Sequence, residues 1–74
     1  MATLRELRIR RLWSQRELAH RAGVALRTIV NIETGQRVPQ LLTMRRIAGA
    51  LEVDWSEVNE FRVTVEDLEE KVAA

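Results

Sequence analysis

Arg27 and Asn31 are the two side chains of this sequence best suited to selective recognition chemistry. A guanidinium offers a rigid fork of donors and a carboxamide offers a donor beside an acceptor, so Arg can take guanine and Asn can take adenine through paired hydrogen bonds in the major groove of a duplex. They are four residues apart and share one face of a helix. Ile29 and Ile32, at i and i+3, mark the opposite, inward face, which turns Arg27, Val30 and Asn31 outward with Leu26 and Thr28 on the flanks.

No other chemistry has comparable support. The 74 residues hold one His, His20, and no Cys. There is no Ser, His and acid set, no metal-ligand spacing and no disulfide. His20 reads as an exposed or half-buried helix residue, and Glu66, Asp67, Glu69 and Glu70 read as a solvated acidic stretch with nothing nearby to hold one carboxyl protonated. Neither an enzymatic activity nor a cofactor is therefore expected. No apolar run approaches a membrane span and no signal peptide is apparent, which makes a cytoplasmic location the expectation, with no membrane partner.

A helix carrying Arg27 and Asn31 needs a frame, and the surrounding residues provide one. Ser14 caps a preceding helix over Gln15–Ala22, with Glu17 three residues on as the second half of a capping box. Leu18, Ala19 and Ala22 give that helix an apolar face to close on Ile29 and Ile32. Gly23 takes the left-handed corner between the two. The order and spacing are those of a helix-turn-helix. A first helix runs from an N-cap at Thr3 to Arg11. The third helix spans Leu26–Thr34 and ends at Gly35. After a loop that Pro39 keeps non-helical, a fourth covers Leu41–Leu51 with Met44, Ile47, Ala48 and Leu51 buried. A short fifth helix follows Asp54, which pairs with Glu57 in a second capping-box pattern, with Trp55 and Val58 as core contacts. From Phe61 to Val65 the residues alternate with a strand period, although Thr64 or Val65 could instead open a helix with Leu68 and Val72 inward. The expected fold is all-α, a compact five-helix bundle over residues 1–59, with a tail, 60–74, that is strand or helix.

Charge is segregated along the chain. Residues 1–51 carry ten Arg against three Glu, a net +7, whereas residues 52–74 carry a net −6. A basic front of this kind suits a polyanion, and an acidic tail is repelled from the same surface. Gln15 and Arg16 open the second helix, where free backbone amides and a polar side chain meet a phosphate naturally.

With these residues in place the sequence resembles the Cro and phage-repressor (Xre) family of helix-turn-helix domains. The likeness runs from about Leu4 to Val58 and includes Leu4, Leu7 and Arg8, the Ser14–Ala19 block, Gly23, Ile29, Ile32 to Gly35, Pro39, Leu41, Thr43, Met44, Ile47, Ala48, Leu51 and Val53. It implies a lambda-repressor-like fold and a sequence-specific transcriptional regulator on double-stranded DNA. It assigns base- or phosphate-contacting positions to Leu26, Arg27, Thr28 and Asn31, a phosphate-contacting loop to Gln36 and Arg37, and an internal ion pair to Arg8 and Glu33. Three departures stand out: Ala25 replaces the hydroxyl residue usual at the head of the third helix, and Leu12 and Glu52 stand where glycine is frequent.

A lone recognition helix reads about half a turn of duplex, so a homodimer on a palindromic operator is the expectation. Its interface would draw on Trp55, Val58, Phe61, Val63 and Val65, with Leu42 an additional exposed apolar residue. In the competing arrangement the tail folds back on the first and fifth helices and completes one core. Leu26 and Val30, apolar on an outward face, also support an alternative function, a protein-interaction module such as an antitoxin or adaptor.

Overall fold

A computed structural model describes residues 2–62 and 65–66. Four helices, α1 (Leu4–Arg10), α2 (Gln15–Ala22), α3 (Leu26–Glu33) and α4 (Leu41–Leu51), are followed by a 3-10 turn at Trp55–Glu57 and by helical backbone at 59–62 and 65–66. The bundle is all-α, with no named strand among the described residues.

Local chemistry sets the ends of these elements. Thr3 Oγ1 accepts from Glu6 N at 3.2 Å, which starts α1, and Ser14 Oγ accepts from Glu17 N at 3.0 Å, which starts α2. Each bond satisfies an amide that the first turn leaves without a partner. Gly23, at φ +69°, closes α2 while Val24 N donates to Ala19 O at 3.0 Å, the long bond of a Schellman ending. Ala25 gives α3 no side-chain cap, and Gln40 gives α4 none. Helix α3 ends at Glu33, and Gly35 takes φ +76° beyond Thr34.

Two corners that glycine could occupy are instead built from strained residues. Leu12 sits at φ +59° and Glu52 at φ +56°, in the left-handed region that costs a side chain about 1–2 kcal/mol. The Glu52 corner is braced by Arg11, whose Nη2 donates to Leu51 O at 2.6 Å and lies 3.8 Å from the Glu52 carboxylate. Trp13, just after Leu12, lies between the guanidinium groups of Arg21 and Arg11, 4.5 and 5.3 Å from its ring centre. Such stacking adds cation–π attraction to packing.

The core joins all four helices to the segment that follows the 3-10 turn. Leu4, Leu18, Ile29, Ile47, Leu51, Val58 and Phe61 are fully buried. Ala2 forms a parallel bridge with Val58: Ala2 N donates to Glu57 O at 3.1 Å and Asn59 N donates to Ala2 O at 2.8 Å. Glu60 Oε1 then accepts from Leu4 N at 2.9 Å, capping α1 from the far end of the chain.

Three expectations need correction here. The strand period from Phe61 to Val65 is not realised, since the described residues 61, 62, 65 and 66 are helical. Val58 is extended (φ −98°, ψ 113°) and bridged to Ala2, the backbone turns helical from residue 59, and Val58, Phe61 and Val65 all pack on the core. Val58 and Phe61 are consequently closed inside their own chain and present no surface to a second copy. Trp55, expected as a core contact, is 40 % exposed because the 3-10 turn points it outward. Val65 packs partly buried against the core, and Val63, Leu68 and Val72 lie outside the described residues.

Candidate nucleic-acid interface

The placement of α3 follows from its two isoleucines. Ile29 and Ile32 are buried against Leu18, Ala19 and Ala22 of α2, so the helix lies on the surface with Leu26 and Arg27 exposed and Thr28, Val30 and Asn31 half-buried. Beside it runs a groove of about 430 Å³, bounded on one side by Arg27, Thr28 and Asn31 and on the other by the loop into α4. Arg37, Val38, Gln40 and Thr43 form that second wall. The loop is held to α3 because Gln36 N and Arg37 N both donate to Asn31 O, at 2.9 and 3.3 Å.

This brings Arg27, Thr28, Asn31 and Arg37 to one depression, while Leu26 lies exposed at the head of α3 and Gln36 exposed in the loop. Gln15 and Arg16 lie apart from the groove, on the first turn of α2, with Arg16 exposed. Gln40 and Thr43, on the groove wall, are not among the site residues expected from the sequence. Their signal is faint: two polar positions at i and i+3, flanking the exposed pair Leu41 and Leu42.

Charge and helix ends reinforce each other at the groove. Arg27 and Arg37 supply two positive side chains. The uncapped N-termini of α3 and α4 both border the depression, through Ala25 and Gln40, and add the positive ends of their dipoles. The concavity therefore favours an anionic partner over an apolar ligand.

Behind α3 stands the Arg8–Glu33 pair. Arg8 Nε reaches Glu33 Oε2 at 2.8 Å and Arg8 Nη2 reaches Oε1 at 3.0 Å, with side chains 11 % and 4 % exposed. The remaining Arg8 nitrogen, Nη1, donates to Trp13 O at 2.8 Å. Hydrogen bonding to Glu33, against the opposing cost of burial, holds the Arg8 guanidinium above its ordinary value. Glu33 Oε1 also accepts from Gln15 Nε2 at 3.3 Å, so one carboxylate ties α1, α2 and the last turn of α3 into a single polar knot. The start of α2 and the last turn of α3 are thus positioned by the same buried group.

His20 is exposed, and no group of three or more His, Cys, Asp or Glu able to hold a metal ion occurs among the described residues. No helix of the described residues is long and apolar enough to cross a membrane. Comparison with curated proteins and with solved structures finds no match. Comparison with protein families does: the helix-turn-helix family of the Cro/C1 type matches residues 4–58, a span that holds α1 to α4, the groove and the Arg8–Glu33 pair. The chain belongs to the Cro/C1-type helix-turn-helix family of DNA-binding regulators.

Proposed function

We propose that the chain is a sequence-specific transcriptional regulator that acts as a homodimer on a palindromic operator. The observation that carries this reading is the shared groove: Arg27, Thr28 and Asn31 from the exposed helix face Arg37 from the following loop across one cationic depression. Helix α3 enters the major groove. Arg27 takes a guanine edge, Asn31 an adenine edge, and Leu26 and Thr28 contact thymine methyls or neighbouring bases. Gln15, Arg16, Gln36 and Arg37 hold phosphates on either side and set the register. The acidic residues from Glu52 onward stay off the duplex by repulsion.

Selection of bound duplexes from a random pool tests the reading. The expected result is an enriched two-fold symmetric site whose half-sites are about 34 Å apart, one helical turn. Binding to it weakens steeply with salt, since each neutralised phosphate releases counterions. Failure to enrich any site, together with a salt-insensitive association with a protein, overturns the proposal in favour of an interaction module.

A further inference from the structure

Helix α3 is held unequally at its two ends. Its tail is fixed by the paired bonds between Arg8 and Glu33, behind its last turn. Its head has no fastening of its own: Ala25 gives no side-chain cap, Leu26 and Arg27 are exposed, and the first buried residue is Ile29. Yet the head is the end that carries Arg27, and a recognition group selects among partners only when the structure beneath it is held in place.

A fastening comes from another helix. Helix α4 packs along α2, and from its exposed flank Arg46 Nη1 donates to Gly23 O at 3.4 Å. Gly23 is the left-handed C-cap of α2 and begins the turn that leads through Ala25 into α3. The setting favours this bond, because the carbonyl lies at the negative end of the α2 dipole and the donor is a full cation. Arg46 thus ties the corner between α2 and α3 to α4, at the end of α3 that the Arg8–Glu33 pair does not reach. It lies outside the lining of the groove. Its neighbour Arg45 is exposed on the same helix and has no hydrogen-bond or ion-pair partner among the described residues, so the two arginines carry equal charge and differ in attachment.

We propose that Arg46 is a positioning residue for α3: by holding Gly23 O it fixes the head of that helix and sharpens base discrimination without touching DNA. This inference rests on the DNA-reading function proposed above. The test uses the full chain, unaltered and as Arg46→Ala, Arg46→Lys and Arg45→Ala, with the selected duplex and a random one at several salt concentrations. All three variants change exposed side chains and are expected to keep their circular dichroism. Arg46→Ala is expected to narrow the ratio of selected to random affinity by about 2- to 10-fold, the worth of one hydrogen bond, with the salt slope unchanged. Arg46→Lys, which keeps a donor and the charge, recovers most of that ratio, and Arg45→Ala, which removes the same charge one residue away, leaves it as it was. Amide hydrogen exchange gives a second measurement without DNA: in Arg46→Ala the amides of Thr28 and Ile29 exchange faster, while those of Ile32 and Glu33 do not. Equal losses on both duplexes, with a salt slope lower by about one, make Arg46 a phosphate ligand and overturn the proposal. The same narrowing in Arg45→Ala, or unchanged exchange at Thr28 and Ile29, also overturns it while leaving DNA reading intact. An unaltered chain that binds the two duplexes alike overturns the DNA-reading function, and this role with it.

Discussion

Arg8 meets Glu33 edge to edge, Nε to Oε2 and Nη2 to Oε1, and so joins the first helix to the last turn of α3. Removing either partner leaves a buried charge without its counterpart. Arg8→Ala or Glu33→Ala is expected to destabilise the fold by about 3–5 kcal/mol, a large share of the roughly 5–15 kcal/mol that holds a small domain. The paired change Arg8→Met with Glu33→Leu costs less than either single one, since the burial penalty of both charges disappears with them. Urea unfolding of the four proteins measures this, and single variants that lose under about 1 kcal/mol, the range of exposed pairs, contradict it.

Base reading and phosphate holding separate by substitution. Arg27→Ala or Asn31→Ala should weaken the selected site by about 1–3 kcal/mol and relax preference at one base pair. Arg37→Ala should weaken all duplexes alike and lower the salt slope by about one. Titrations of specific and random DNA at several salt concentrations distinguish them. Equal losses on both DNAs for Arg27→Ala would remove Arg27 from the readers.

Leu12 and Gly23 share a backbone conformation but not its cost. Leu12, 92 % exposed at φ +59°, has little packing to lose, so Leu12→Gly exchanges a strain of about 1–2 kcal/mol for a glycine entropy cost of about 0.5–1 kcal/mol. A gain of up to about 1 kcal/mol is expected, which raises Tm by about 4–8 °C. Gly23→Ala runs the other way. No atom within 4 Å meets an added Cβ there, so its expected loss of about 1–2 kcal/mol is backbone strain alone. A thermal melt in which both changes have the same sign contradicts this account.

One contribution to stability at the 3-10 turn is expected to be sensitive to acid. Asp54 accepts from Ser56 N at 2.9 Å and from Ser56 Oγ at 2.7 Å, and these bonds, the backbone one first, hold its carboxyl below its ordinary value. A carboxyl whose pKa is depressed by folding contributes stability that is present above its unfolded pKa and lost as pH falls through the folded one. The advantage of the unaltered chain over Asp54→Ala should therefore be constant near neutrality and vanish below the usual carboxylate range. A difference that persists unchanged to strongly acid pH counts against the Asp54 cap. The Arg8 shift has the opposite sense: its raised value keeps that contribution in place at every pH below the arginine range.

The frame of α1 to α4 was legible because local and periodic signals agree. Thr3 and Ser14 cap helices, Gly23 turns left-handed, and Met44, Ile47, Ala48 and Leu51 share one buried face. Phe61 was harder to place, since Phe61, Val63 and Val65 also fit a strand period. In the structure Val58 is extended and bridged to Ala2 while 59–62 are helical, and both Val58 and Phe61 are buried with Leu4. The groove was only half visible. Arg27 and Asn31 declare themselves through the isoleucines opposite, but Gln40 and Thr43 join them only after Gln36 N and Arg37 N bond back to Asn31 O and fold the loop toward α3. No sequence period encodes that tertiary bend. The corners at Leu12 and Glu52 stood out in the sequence as departures from glycine, but the brace at Glu52 did not, since it is Arg11 reaching 40 residues along the chain to Leu51 O.

The stitching of Ala2 to residues 57 and 59, and of Leu4 N to Glu60, has a consequence for kinetics. These bonds close a loop around nearly the whole domain, with Leu4 and Glu60 separated by 56 positions, whereas α2 meets α3 through a turn of three residues. Closing so long a loop costs chain entropy before any contact repays it, so the α2–α3 hairpin is expected to organise first and the stitch to form after the main barrier. Glu60→Ala should then speed unfolding and leave the folding rate nearly unchanged. In a stopped-flow chevron only the unfolding arm is expected to move, which would make this seam a timer for how long α3 stays assembled.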